Sequence, residues 1–160
     1  MTPASETTSQ FALTGCRVLD LTTPLGQMCG KILGDLGADV IKIEPPAGDA
    51  GRLRQPQYRD PSGNCHSLFW LAYNNNKRGI TLNLETEEGR DIFRRLAEIA
   101  DVILESYPPG YMESLGLGHK QLSATNQKLV YTAITPFGQT GPYRDFIADE
   151  IGRASCRERV

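Results

Sequence analysis

The stretch CRVLDLTTPLGQMCGKILGDLGADVIKIE, residues 16–44, decides the fold. Residues 16–22 and 38–44 are short apolar runs bounded by polar residues, glycine or proline, which predicts two buried strands. Between them, apolar residues recur at helical spacing over residues 26–37, and a glycine ends the run. A strand, a helix and a strand within about thirty residues form the unit of a parallel sheet with right-handed crossovers.

The same alternation continues along the chain. Residues 67–73 predict one or two helical turns, residues 80–84 alternate like a strand, and Thr86 is a good N-cap for a helix over residues 87–100. Four elements follow: a strand at 101–105, short helices at 111–115 and 120–126, and a last strand at 129–137. Residues 45–66, rich in Gly, Pro, Asp and Arg, predict a long loop, which is often functional. The sequence therefore predicts an α/β, Rossmann-like doubly wound fold with a mainly parallel sheet.

Composition excludes several classes of function. The formal net charge of the 160 residues is −2, which gives no basic field for nucleic acid or an anionic membrane. No apolar run is long enough to cross a bilayer, and the polar start MTPASETTSQ lacks a secretory leader pattern. We therefore expect a cytoplasmic protein without nucleic-acid or membrane partners, and a disordered N-terminus over residues 1–12.

The cysteines and histidines do not predict a metal site. The four cysteines contain no CxxC pair, and His66 and His119 lie far apart in the sequence. Zinc sites need closer ligand clusters, so we predict none. We expect the cysteines to be reduced and buried, without a catalytic role.

Three motifs admit both a functional and a structural interpretation. Gly26 and Gly30 lie at the first strand–helix junction, and Glu44 stands where dinucleotide-binding folds keep a ribose-binding acid, but no G-x-G-x-x-G is present. The turn NNNKRG, residues 74–79, is either a solvated turn or an anion site. The loop FGQTGPY, residues 137–143, follows a strand at the edge where parallel sheets bind ligands, or is a plain turn.

The loop arginines Arg52, Arg54 and Arg59 are a further candidate for phosphate binding. For each arginine alone, a solvated side chain is the better interpretation.

Taken in order, the pieces resemble the family III coenzyme A transferases of the CaiB/BaiF type. The similarity covers residues 13–149 and includes RVLDLTTPLGQMCGKILGDLGADVIKIEPPAGD, NNNKRGITLNLETEEGRDIFRRLAEIADVILESYPPGYMESLGLG and LVYTAITPFGQTGPYRD. The resemblance implies transfer of coenzyme A (CoA) from an acyl-CoA thioester to a carboxylic acid through an aspartyl-CoA intermediate. No permanently bound cofactor is implied, and the full-length parent would be an interlocked homodimer with a second, small domain.

The resemblance also assigns residues. Leu82, Asn83, Leu84, Ser106, Tyr107 and Pro108 match the family's CoA-contacting positions. The nucleophilic aspartate is expected beyond the end of this chain, so no catalytic residue is assigned and the 160-residue fragment is expected to be inactive. Members often carry arginine where this chain has Pro45, which leaves the substrate open.

The segment EIGRASCRERV, residues 150–160, differs in pattern from the rest of the chain. It resembles a translated sequencing-library adapter, and we expect it to be non-native.

Three other functions remain possible at this stage. The first is an α-methylacyl-CoA racemase of the same family, although racemases carry His-Asp where this chain has Asp149-Glu150. The second is a nicotinamide-dependent oxidoreductase, and the third a non-catalytic binding module.

Overall fold

The computed structural model describes residues 11–146, which alternate between strands and helices. The strands are β1 (Arg17–Leu21), β2 (Asp39–Glu44), β3 (Gln57–Arg59), β4 (Cys65–Ser67), β5 (Arg78–Thr81), β6 (Val102–Glu105) and β7 (Val130–Ala133). The helices are α1 (Gln27–Asp35), α2 (Leu68–Asn74), α3 (Glu87–Glu98), α4 (Tyr111–Ser114) and α5 (His119–Leu122), with a 3-10 helix at Ala50–Leu53. Most of the predicted disordered N-terminus and the whole predicted tail, residues 150–160, lie outside the described residues.

Five strands form one parallel sheet in the order β5–β2–β1–β6–β7. Leu19 of β1 is in register with Ile41 of β2 and Ile103 of β6, and Ile103 is in register with Tyr131 of β7. The predicted mainly parallel α/β sheet is therefore confirmed. The chain crosses to one side after β1 and to the other side after β6, so the switch point of the sheet lies between these two central strands.

Each face of the sheet packs against a different helix. Leu19 and Ile41 belong to the larger apolar cluster, which includes Phe93 of α3. Val18 and Val40, one residue earlier on the same strands, belong to the smaller cluster, against which Leu33 of α1 packs. Successive strand side chains point to opposite faces, so the two helices cover opposite sides of the sheet.

The predicted strand at residues 80–84 is wrong in its position. β5 spans Arg78–Thr81, and Leu82, Asn83 and Leu84 follow it. The partner strand β2 ends at Glu44, whose carbonyl accepts the last hydrogen bond from Leu82 N at 2.8 Å, and Pro45 follows. Leu82 therefore marks the point where pairing stops, and residues 82–84 form a loop at the carboxyl edge of the sheet.

The prediction of a structureless loop over residues 45–66 is also wrong. The segment contains the 3-10 helix, where the Asp49 side chain accepts a hydrogen bond from Gly51 N at 2.6 Å, and the antiparallel hairpin of β3 and β4. In the hairpin turn, Asp60 accepts hydrogen bonds from the backbone and side chain of Asn64 at 2.9 and 3.2 Å. Local side-chain capping thus gives the segment order that hydrophobic periodicity does not reveal.

Cys65 in this hairpin is exposed, contrary to the expectation of buried cysteines, whereas Cys16 and Cys29 are half-buried. Burial raises the pKa values of the Cys16 and Cys29 thiols. In the described part of the chain, no helix combines the length and the apolar character that crossing a bilayer requires.

Candidate functional site

The carboxyl edge of the sheet carries two adjoining pockets on either side of one tyrosine. The loops that follow β1 and β6 are joined across the switch point, because Thr23 N donates to Ser106 Oγ at 2.7 Å and the two hydroxyls lie 2.9 Å apart. Tyr107, the next residue after Ser106, lines both pockets. Open α/β sheets bind ligands at this position.

The first pocket, which we call the Leu82 pocket, has a volume of about 130 Å³. Its lining residues come from the ends of β2 and β5 and from the segment after β6: Ile43, Glu44, Pro45, Leu82, Asn83, Leu84, Glu85, Tyr107 and Tyr111. Its aromatic wall is a pair of rings, Tyr107 and Tyr111, whose centroids are 4.8 Å apart.

The loop of the Leu82 pocket is held from behind by helix α3. Arg90 donates to the carbonyls of Leu84 and Glu85 at 3.2 and 3.0 Å. A Cβ on Gly89 would lie 1.8 Å from the Asn83 carbonyl oxygen, so only glycine allows the helix to approach this closely. Asn83 Oδ1 accepts from Glu85 N at 3.1 Å, which turns the chain out of the strand. The pocket loop is therefore positioned by contacts to its backbone atoms.

The second pocket, the Thr135 pocket, is larger, with a volume of about 400 Å³. It lies between the loops that follow β1, β6 and β7, and its lining residues are Leu25, Ser106, Tyr107, Pro108, Pro109, Thr135, Pro136, Arg144, Asp145 and Phe146. All six residues that the sequence assigns to CoA thus line one pocket or both. Their contact with CoA stays a prediction.

Three titratable groups at this edge have raised pKa values. Burial raises the pKa of Glu105, the last residue of β6, to about 7, while the Tyr107 N–H that donates to it at 2.7 Å opposes the shift. Burial also raises the pKa of Tyr107 to about 12, and the hydrogen bond to Glu85 raises that of Tyr111 to about 12. The two pocket tyrosines therefore stay neutral at physiological pH.

Behind the pockets, the α1 side of the sheet contains a buried charged network, which sequence analysis missed. The Asp20 carboxylate is inaccessible to solvent and accepts from Lys77 Nζ at 2.7 Å, with Lys42 Nζ 3.8 Å away. Lys42 Nζ also lies 3.1 Å from Asp49 Oδ2 and donates to the carbonyl of Thr22. The Thr22 N–H and hydroxyl donate back to Asp20 at 2.8 and 2.6 Å. The network thus fixes the start of the loop that carries Leu25 into the Thr135 pocket.

Helix α1 is shaped to fit over these charges. Gln27 Nε2 donates to Asp49 at 2.8 Å, and Asn74 Nδ2 donates to Gln27 Oε1 at 3.0 Å. A Cβ on Gly30 would lie 2.3 Å from Asp20 Oδ2, so Gly30 provides the space for the buried carboxylate. A signal was present in the sequence, since Asp20 and Lys42 interrupt two otherwise apolar strands.

The cationic turn, residues 74–79, is not the solvated turn of one interpretation, because Lys77 is buried, and both of its cations are paired with carboxylates. Lys77 points into the buried network, and burial lowers its pKa while Asp20 opposes the shift. Arg78 donates to Asp39 at 2.6 and 2.8 Å, and both residues are the first of their strands. They lie at the amino edge of the sheet, opposite the pockets.

The three loop arginines also contact other residues of the chain. Arg52 forms a two-pronged ion pair with Glu44, at 2.6 and 2.7 Å, and stacks 4.0 Å from the centre of the Trp70 ring. This pairing lowers the pKa of Glu44 and occupies the acid that a dinucleotide-binding fold would offer to ribose. Arg54 stacks on Phe69, and Arg59 donates to the carbonyl of Gly63.

The loop at residues 137–143 follows the carboxyl end of β7, as expected. Gly138 and Gly141 have φ values of 85° and 92°, which favour glycine. The residues on either side of the loop, Pro136 and Arg144, line the Thr135 pocket. Within residues 11–146, no group of three or more Cys, His, Asp or Glu side chains is arranged to hold a metal ion.

These features define an α/β protein of the doubly wound type, with its candidate ligand site at the switch point of a parallel sheet. Residues 13–155 match the sequence profile of CoA-transferase family III, and the chain belongs to this family.

Several relatives show the same assignment. A subunit of the succinyl-CoA:(R)-benzylsuccinate CoA-transferase of Thauera aromatica is 48% identical over 135 residues, which cover 84% of this chain and 33% of the relative. The beta subunit of the succinyl-CoA–L-malate CoA-transferase of Chloroflexus aurantiacus is 42% identical over 141 residues, which cover 87% of this chain and 34% of the relative. The crystal structure of a CaiB/BaiF family protein from Brucella suis superposes with a TM-score of 0.85 at 38% identity, covering 92% of this chain and 39% of that one. The chain spans about a third of the length of the curated relatives it matches.

Proposed function

We propose that this chain is part of an enzyme that transfers CoA from an acyl-CoA thioester to a carboxylic acid. Family membership supports the reaction class, and relatives named as CoA-transferases support it further. The observation that carries the proposal is the convergence of six CoA-assigned residues, from two separate loops, on two pockets that share Tyr107. A coenzyme that spans both pockets would contact all six residues.

The reaction proposed is covalent catalysis by an aspartate. The aspartate carboxylate attacks the thioester carbonyl, which forms a mixed anhydride and releases CoA as a thiolate. The thiolate attacks the aspartyl carbonyl, giving an aspartyl-CoA thioester and the free donor acid. The acceptor carboxylate then attacks this thioester, and the released thiolate takes the acceptor acyl group from the second anhydride. The aspartate is regenerated, and no net proton or electron is consumed.

The nucleophile is proposed to lie beyond the end of this chain. Asp20 and Asp49 are buried in ion pairs with lysines, and Asp39 pairs with Arg17 and Arg78 at the amino edge. Asp20 and Asp49, which are buried in their ion pairs, have no access to a thioester. We therefore expect the 160-residue chain to bind CoA poorly and not to catalyse transfer.

Within the pockets, each proposed contact has a distinct role. Leu82 and Leu84 supply apolar walls and Tyr107 an aromatic ring, on which a planar base can stack. The Asn83 side chain uses its oxygen internally, so its amide nitrogen is the group that remains to donate to a ligand. CoA is a substrate in this proposal, and no permanently bound cofactor is included.

A homodimeric, cytoplasmic parent enzyme is proposed on more general grounds. Met28 and Ile32 on α1 and Leu36 directly after it recur at helical spacing, with about half of each residue exposed. An apolar stripe of this kind is typical of a surface that another element covers. The family resemblance supplies the homodimer as one candidate for that cover.

The proposal is tested in a full-length enzyme that carries this segment. Asn83→Glu and Tyr107→Glu should each raise the KM for the thioester by about tenfold, because a charge is placed in a pocket wall. Tyr58→Glu on strand β3, which is exposed and outside both pockets, is the matched control and should leave KM unchanged. Unchanged saturation kinetics in the two pocket variants would contradict the assignment. Exchange of the α-proton of an acyl-CoA without transfer would favour the racemase alternative instead.

A further inference from the structure

Two buried acids lie near the ends of the two central strands, one on each side of the switch point. Asp20 of β1 accepts a hydrogen bond from Thr22 N at 2.8 Å, and Glu105 of β6 accepts one from Tyr107 N at 2.7 Å. Each carboxyl group therefore fixes the backbone of the residue two positions further on, where a pocket loop begins. Two lysines pair with Asp20 and compensate its charge.

Glu105 has no such compensation, although it is only 5% exposed. Within residues 11–146 no lysine or arginine pairs with it, and the charged group that acts on it is Glu113 of α4, which is also acidic. Tyr107 from its own loop and Tyr131 from β7 also face it. The His119 ring of α5 meets the Tyr131 ring edge to face, with the centroids 6.1 Å apart. A buried acid without a paired cation is costly to ionise.

The chemistry of position 105 distinguishes a carboxyl group from an amide. A glutamine here would accept the same hydrogen bond from Tyr107 N without the cost of burying a charge. What the carboxyl group adds is a proton that it can bind and release. Burial raises the pKa of Glu105 to about 7, so the protonated and the ionised form are both present near neutral pH.

We propose that Glu105 is a positioning residue for CoA, which holds Tyr107 between the two pockets and takes up a proton when the coenzyme binds. Glu105 lines neither pocket, so it acts through Tyr107, which lines both. The inference rests on the proposed CoA transfer, and it adds a residue and a proton to the binding step.

The segment that Glu105 holds is tied to the loops on both sides of it. The Glu105 carbonyl accepts from Ile134 N at 2.8 Å, which joins it to the segment after β7. Ser106 Oγ accepts from Thr23 N at 2.7 Å, which joins the next residue to the loop after β1. The carboxyl group of Glu105 then fixes Tyr107 N, the third residue of the series. The position of the Tyr107 ring is therefore set by the same residue that connects the strand ends.

Binding of CoA favours the protonated form of Glu105 for two reasons. The coenzyme displaces water from the surface of Tyr107, and its phosphates bring negative charge toward the carboxyl group. Both effects raise the pKa of Glu105 further in the complex. The free enzyme loses the proton as the pH passes about 7, whereas the complex keeps it to a higher pH. CoA therefore binds most tightly below pH 7, and its affinity falls as the pH rises between the two pKa values.

The test uses a full-length enzyme that carries this segment, with CoA itself as the probe. Isothermal titration calorimetry at pH 7.5 in HEPES and in Tris measures proton uptake, because the two buffers differ in their enthalpy of ionisation. We expect the wild type to take up about half a proton more per bound CoA than Glu105→Gln does. Between pH 6.5 and 8.5, the wild-type Kd should increase about fivefold relative to that of Glu105→Gln. Titration of the CoA phosphates is common to both enzymes and cancels in this comparison.

Two further variants separate positioning from proton uptake. Glu105→Ala removes the acceptor of the Tyr107 N–H and should raise the Kd for CoA about tenfold at pH 6.5. Glu105→Gln keeps an acceptor oxygen and should restore this Kd to within about twofold of the wild type. Glu88→Gln is the matched control, because Glu88 is an exposed glutamate in the first turn of α3, and its proton uptake should equal that of the wild type. Far-ultraviolet circular dichroism of each variant shows whether it is folded.

The possible failures are distinguishable. Equal proton uptake by the wild type and folded Glu105→Gln would overturn the coupling of Glu105 to the coenzyme and leave CoA binding in place. A wild-type Kd in folded Glu105→Ala at pH 6.5 would overturn the positioning role. Absence of CoA binding to the wild-type enzyme would contradict the proposed function and this inference with it.

Discussion

The two faces of the central sheet bury their side chains in opposite ways. On the α3 side, Leu19 and Ile41 pack with Phe93 in an apolar cluster. On the α1 side, Asp20 and Lys42, the next residues of the same two strands, are as completely buried, at 0% and 2% exposure, but carry charges. One face therefore depends on close packing alone, and the other depends on the packing of its smaller apolar cluster and on pairing every charge.

This difference shows which face supports the fold and which positions the site. Burying ions costs several kcal/mol each, and a pair is often no more stabilising than apolar residues of the same size. The charged face does something that an apolar face cannot, because Lys42 donates to the Thr22 carbonyl and Asp20 accepts from the Thr22 N–H. These bonds hold the loop between β1 and α1 at the switch point, where both candidate pockets adjoin.

The largest expected effect is at Asp20. Asp20→Ala would leave Lys42 and Lys77 buried without their shared carboxylate, and uncompensated buried charge typically costs about 3–5 kcal/mol. Urea unfolding followed by circular dichroism would measure the loss. Asp91→Ala, which removes an exposed carboxylate from α3, should cost less than about 1 kcal/mol. Equal losses in the two variants would show that the buried network contributes no more to the free energy of unfolding than an exposed carboxylate does.

The apolar face is tested at Leu19, the residue before Asp20. Leu19→Ala creates a cavity beside Phe93 and should lower the free energy of unfolding by about 3 kcal/mol. The same urea titration measures it, and Leu19→Met, which conserves volume, should cost less than about 1.5 kcal/mol. Because Leu19 lines neither pocket, CoA binding to the folded Ala variant should remain at the wild-type level. Weakened binding would show that both faces position the site.

Glu105 provides a carboxylate on the apolar side that has no cation beside it. Burial raises its pKa from 4.5 to about 7, and Glu113 adds to the effect. Between these two values the folded state holds a proton that the unfolded state has released, so stability falls as the pH rises. The stability that protonated Glu105 contributes is present below pH 4.5 and is lost as the pH passes 7.

Glu105→Gln should remove this dependence. Relative to the wild type, the variant should gain about 1–2 kcal/mol at pH 8 and gain little at pH 4.5. Thermal unfolding from pH 4.5 to 8 measures the difference, and Glu88→Gln, an exposed glutamate in the first turn of α3, serves as control. A wild-type profile that does not fall between these pH values would show that Glu105 is ionised throughout.

The same contrast explains which elements of the fold could be predicted from the sequence. The apolar residues of β1, β2, β6 and β7 were sufficient to predict the parallel sheet, because burial on both faces leaves continuous hydrophobic runs. The end of β5 was misplaced because it depends on where its partner β2 stops. The 3-10 helix was missed because capping by Asp49 determines it, and the hairpin at residues 57–67 was missed because capping by Asp60 determines its turn.

For a related reason, the pocket residues of the candidate site were predicted and the buried ion pairs behind them were not. Leu82–Leu84 and Ser106–Pro108 were found through family motifs, and the structure brings them to adjoining pockets. Pairings between distant residues, such as that of Lys77 with Asp20, are not visible in a single sequence. For this reason the turn at residues 74–79 kept an anion-binding interpretation until its contacts were known.

The smallest expected effect concerns the exposed ion pair of Arg78 with Asp39 at the amino edge of the sheet. It contrasts with the buried pair of Lys77 with Asp20. Arg78 is 65% exposed and pairs with Asp39, where water and salt weaken the attraction. Arg78→Gln should therefore change the free energy of unfolding by less than about 1 kcal/mol, and this change should shrink further in 0.5 M salt. Since Arg78 begins β5 and the pockets lie at its other end, CoA affinity measured by calorimetry should stay within about twofold of the wild type. A tenfold loss of CoA affinity in this variant would restore the anion-site interpretation of the turn and move the candidate site to the opposite edge of the sheet.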